Sequence, residues 1–94
     1  MTEIIFCGKK YTRSGNAWVR EDGVFLGQAY CSTPALAPAV GRYAVELARA
    51  GNDKVRVSQT LQQVSRSLGN GIMYVVQTLA KDLRSSGAVP AGAA

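Results

Sequence analysis

Histidine does not occur in these 94 residues. Its absence removes the commonest general base, the usual activator of hydroxyl and thiol nucleophiles, and the commonest metal ligand. The two cysteines, Cys7 and Cys31, form no CxxC pair and cannot complete a tetrahedral metal site alone. They read as buried structural thiols, joined by a disulfide only if their strands are neighbours. No apolar run approaches the roughly 20 residues of a membrane span. The opening residues MTEIIFCGKK place their positive charge after the apolar stretch, the reverse of a secretory signal. The expectation is a cytoplasmic protein of bacterial or phage type, with no membrane, metal or cofactor. Serine, tyrosine, lysine and isolated carboxylates remain, but none has an activating partner at a definable spacing, so an enzyme is not expected. Acidic residues are also scarce, 6 against 11 Lys and Arg, for a net charge of +5. That balance favours an anionic partner.

What is present predicts a single α+β domain. Residues 1–31 read as a three-stranded antiparallel β-meander. Ile4, Ile5, Phe6, Cys7 and Tyr11 mark a first strand over residues 2–11, and residues 17–21, with the only tryptophan at Trp18, mark a second. Glu21-Asp22-Gly23 supplies a hairpin turn into a third strand over residues 24–31. A helix follows over residues 33–51, with Thr33 as cap and Pro34 in its first turn, unless Pro38 delays its regular part. Gly51 ends it. Lys54 to Ser58 alternates polar and apolar as a short strand does, and the tail at 90–94 is small, uncharged and expected to fray.

Residues 60–86 carry the functional signal. Thr60 and Gln63 make a capping-box pattern, and Leu61, Val64, Ser65 and Leu68 fall on one side of a helix. In residues 72–85 Ile72, Val75, Val76, Leu79 and Leu83 cluster on one arc, while Tyr74, Gln77, Thr78, Lys81, Arg84 and Ser85 occupy the other. Between the two segments lies Gly69-Asn70-Gly71, two residue types that tolerate the left-handed conformation ending a helix. The order is that of a helix-turn-helix. The same apolar positions also keep phase through the glycines, so one long helix packed on a partner is the rival arrangement. The triplet lacks the Lys-Ser/Thr of a nucleotide loop.

The run VSQTLQQVSRSLGNGIMYVVQTLAKDLRSSGAV resembles the core of bacterial winged helix-turn-helix transcription regulators. Ser65 stands at the small residue within the first helix, Gly69 at the turn, Val75 within the second helix, and Leu83-Arg84-Ser85-Ser86-Gly87-Ala88-Val89 at the closing phrase. Asn70 stands where the family has an apolar residue, and Pro90 to Ala94 stand where its wing follows. The resemblance implies a recognition helix whose Asn70, Tyr74, Gln77 and Lys81 face DNA, with Arg66 near a phosphate.

Three functions compete. The first is a small basic DNA-binding protein, a transcriptional repressor or accessory regulator that pairs as a homodimer through the sheet or the 38–50 helix. Its contacts are Arg66, Asn70, Tyr74, Gln77, Thr78, Lys81 and Arg84. The second is a small protein that binds or inhibits a protein partner, anchored by Trp18, Phe25 or Tyr30 and the long apolar stripe. The third keeps nucleic acid but reads it from the sheet, as in integrase arm-type domains, with Lys9, Lys10, Arg13 and Arg20 around Trp18.

Overall fold

The computed structural model describes residues 2–90; the tail expected to fray lies outside them except for Pro90. Three antiparallel strands, β1 (Glu3–Phe6), β2 (Lys9–Ser14) and β3 (Ala17–Val19), form a sheet in the order β1-β2-β3. Helices α1 (Ala37–Ala50), α2 (Lys54–Leu68) and α3 (Met73–Ser85) follow. The fold is α+β, with the meander and the helices in the expected order.

The meander is tighter than the sequence suggests. Cys7 and Gly8 both take positive φ, 53° and 73°, making a two-residue hairpin turn whose twist suits the flanking strands. The predicted first strand is therefore a β1–β2 hairpin, pairing Ile4 with Tyr11 and Phe6 with Lys9. Alternation puts Ile4, Phe6, Tyr11 and Trp18 on the inner face, all buried, and Glu3, Ile5, Lys10 and Thr12 on the outer one.

The expected third strand over residues 24–31 does not form. The turn at Asp22-Gly23 is present, with the Gly23 amide donating to the Arg20 carbonyl at 3.0 Å. Beyond it only Phe25 bridges back to Val19, and Gln28–Tyr30 coil into a 3-10 turn. The cause is packing. Leu26 is buried and Gly27 lies directly against α1, where an added Cβ would stand 2.6 Å from the Ala37 carbonyl oxygen. The chain crosses the helix there instead of continuing the ladder.

α1 is the central element. A 3-10 turn, Pro34–Leu36, precedes it, and Pro38 falls in its first turn, where a missing N–H costs nothing. Val40, Ala44, Val45 and Ala48 are essentially inaccessible, and the helix packs against β3, α2 and α3. Gly51, at φ 56°, ends it. Nine of its 14 residues are buried, so α1 is largely enclosed within the fold.

The predicted strand at 54–58 is the start of α2. Asp53 caps this helix through Oδ1, which accepts from the Val55 and Arg56 amides at 3.1 and 3.2 Å. Thr60 consequently does not cap anything; it sits mid-helix and is buried with Val64. The alternation of Val55 and Val57 mimics a strand, yet Val57, Leu61, Val64 and Leu68 keep helical spacing along α2. Asp53→Ala is expected to lower stability by about 1 kcal/mol, read as an earlier midpoint in urea with an unchanged slope.

The chain breaks after Leu68. Gly69, at φ 90°, shares its amide between the Val64 and Ser65 carbonyls, and Asn70–Ile72 form a 3-10 turn before α3. The unbroken-helix alternative does not hold. Val76, Leu79 and Leu83 of α3 are fully buried, and the helix packs most extensively on α1. Past α3, Gly87 at φ 78° lets the Val89 amide reach the Leu83 carbonyl at 3.1 Å, seating Val89 in the core.

Candidate nucleic-acid interface

The side of α3 opposite its buried stripe carries Tyr74, Gln77, Lys81 and Arg84, all exposed, with Tyr74 76% accessible. At 1.5 Å per residue they span about 15 Å of helix. None makes a side-chain hydrogen bond or ion pair among the described residues. Thr78 departs from this set: it is half-buried and its hydroxyl donates to the Tyr74 carbonyl at 2.8 Å. The Ser85 hydroxyl is likewise spent on the Lys81 carbonyl. Asn70 is exposed just before α3, and its Oδ1 accepts from the Ser65 hydroxyl at 2.6 Å, while its amide nitrogen has no hydrogen-bond partner among the described residues. Arg66 is exposed on the last turn of α2. Gln77, Lys81 and Arg84 line one edge of a depression whose far side is α2.

Charge is distributed unevenly. Seven of the 11 Lys and Arg, but only three of the 6 acids, lie beyond Leu36. All three of those acids are engaged. Glu46 pairs with Arg42 at 3.6 Å, Asp53 caps α2, and Asp82 accepts from the Tyr30 hydroxyl at 2.5 Å. Among the described residues Lys54, Arg56, Arg66, Lys81 and Arg84 have no carboxylate partner. Lys54 and Arg56 escaped the sequence reading because their segment was read as a strand; Asp53 as a cap was the available signal.

The second expected contact set fails as an aromatic surface. Trp18 is 4% accessible and Tyr11 is buried, because both point to the inner face of the sheet. The Arg49 guanidinium covers the Trp18 ring from 5.8 Å. Of the cations around them, Lys10 lies 3.9 Å from Glu3, Arg13 donates to the Gly15 carbonyl, and Arg20 is bound by both Asp22 oxygens. That pairing raises the Arg20 pKa further and holds the Asp22 carboxyl down at about 2. Among the described residues, Lys9 is the one cation of this set that stands exposed without such a partner. Of the three anchors expected for a protein partner, Trp18 is buried, while Phe25 and Tyr30 are half-buried.

Cys7 and Cys31 are free thiols, and Cys7 is exposed at the hairpin tip, contrary to the expected burial. No group of His, Cys, Asp or Glu able to hold a metal occurs among the described residues, and no helix there is long and apolar enough to cross a membrane.

The Tyr30–Asp82 bond fixes the loop before α1 to α3. Burial, reinforced by the Asp82 carboxylate, pushes the Tyr30 phenol up to about 12. A raised folded-state value means that the neutral phenol favours the fold below the unfolded value near 10. That contribution is lost as pH rises from about 10 to about 12. Tyr30→Phe is expected to cost about 1 kcal/mol at neutral pH and to flatten the alkaline loss of stability relative to the parent protein, as measured by urea unfolding across that range.

Compared with family models, curated proteins and solved structures, the chain matches none.

Proposed function

We propose that the protein binds DNA through the outward side of α3, as a repressor or accessory regulator working in the cytoplasm. The observation that supports this most is the exposed run of Tyr74, Gln77, Lys81 and Arg84, whose cations pair with no carboxylate among the described residues, on a helix set off from α2 by the bend at Gly69. A run of about 15 Å suits the major groove, whose width is about 12 Å. The Gln77 amide has the donor and acceptor pair that meets an adenine edge, and Tyr74 can meet a thymine methyl. Lys81, Arg84 and Arg66 would take phosphates, with the Asn70 amide nitrogen at the start of the helix adding a further donor. Two copies would double the sequence read. With α1 enclosed, the outer sheet face around Ile5, 57% accessible, is the surface for that pairing.

Anisotropy of labelled duplexes from a genomic fragment pool tests the proposal. The expected result is an affinity that falls steeply as salt rises, because released counterions drive the binding. Gln77→Ala is expected to relax the preference among sequences while leaving the salt slope intact. An affinity that does not change with salt would rule the proposal out.

A further inference from the structure

We infer that the cleft between α2 and α3 docks an acidic amphipathic helix of a partner protein, and that this helix competes with DNA. Two depressions, of about 740 and 550 Å³, share Gly51, Val57 and Leu61. Met73 extends the apolar floor toward the bend and Ala80 extends it toward the end of α3. Val57, Leu61 and Met73 are only half-buried. α2 thus buries little of its own apolar side inside the fold. The charged residues lining the two depressions are Lys54, Lys81 and Arg84, and no carboxylate lines either.

An apolar floor between cationic edges selects its occupant by charge as well as by shape. A helix with an apolar stripe at i, i+3, i+4 and i+7 fills the floor, and carboxylates flanking that stripe meet the three cations. Two copies pairing cleft to cleft about a two-fold axis would instead set Lys54, Lys81 and Arg84 against the same cations of the other chain. Nucleic acid has the charge but no apolar stripe for Val57 and Leu61. Because Lys81 and Arg84 also belong to the proposed DNA-facing side, occupancy of the cleft removes them from phosphates. Only this competition rests on the DNA proposal; the docking itself does not.

The test titrates the full chain with a labelled peptide of about 15 residues that places leucines on one helical stripe and glutamates elsewhere. A scrambled peptide of the same composition is the control. The striped peptide is expected to bind roughly tenfold or more tightly than the scrambled one. Val57→Ser, with its fold checked by circular dichroism, is expected to weaken the peptide about tenfold and to leave duplex affinity unchanged. Equal binding of the two peptides would show charge alone and overturn docking, as would no binding or a Val57→Ser variant that binds like the parent. Sedimentation showing a parent dimer that Val57→Ser dissociates would also overturn it, since the cleft would then be a self-interface. Peptide binding without duplex binding would leave docking standing and remove the DNA proposal with the competition.

Discussion

Gly27→Ala is expected to destabilise the protein by about 2–3 kcal/mol, lowering the thermal midpoint by roughly 10 °C or more for a domain of this size. The reason is purely steric. Gly27 has φ −84° and ψ −1°, a conformation any L-residue adopts, so no backbone strain enters. A Cβ there would meet the Ala37 carbonyl oxygen at 2.6 Å, the Gly41 nitrogen at 2.8 Å and Val40 Cγ1 at 2.9 Å. Two of these are helix backbone and cannot yield without moving α1, on which the sheet, α2 and α3 all pack. Gly41→Ala addresses the same contact from the other side with a different balance. Its Cβ would stand 3.1 Å from Gly27 N and Leu26 Cβ, a mild overlap set against the gain of about 1 kcal/mol from replacing a helical glycine. Its net effect should be small. Gly71→Ala, with nothing within 4 Å of an added Cβ, should change stability by less than about 0.5 kcal/mol. Thermal scans of the three variants separate close approach from the mere presence of glycine.

The second large effect concerns binding. The double variant Lys81→Ala/Arg84→Ala is expected to lose on the order of tenfold in duplex affinity per cation at low salt, and to reduce the slope of log affinity against log salt by about 0.9 per phosphate contact removed. Its stability should stay within about 0.5 kcal/mol of the parent, because both side chains are exposed and hold no partner among the described residues. Lys9→Ala removes a charge of the same sign from the hairpin and should leave the slope nearly unchanged. If the two variants behaved alike, binding would reflect net charge and not α3.

Much of the architecture was legible in the sequence because its signals are local. Glycines mark the helix ends at Gly51 and Gly69, the apolar spacing of Val76, Leu79 and Leu83 marks the buried side of α3, and the clustering of β-branched and aromatic residues before Gly23 marks the sheet. The misreadings have tertiary or competing causes. Leu26-Gly27 alternates like a strand, but the identity of Gly27 is dictated by a helix ten residues further on. Lys54 to Ser58 alternates too, and there the Asp53 cap outweighs the strand pattern. Trp18 between cations looks like a stacking surface in one dimension; the register with Arg13 and the inward pleat bury its ring. On α3 the sequence identified the polar arc, but not that the Thr78 hydroxyl turns back onto its own helix. Nor did it show that α2, three residues past Gly51, contributes Lys54 and Val57 to the cleft.

Amide chemical-shift mapping of the labelled protein with a short duplex tests most directly whether α3 meets DNA. The expected result is a continuous set of shifted amides from Asn70 through Arg84, with the β1–β2 hairpin unmoved. Shifts confined to residues 9–20, or none at concentrations where other basic domains bind, would contradict it.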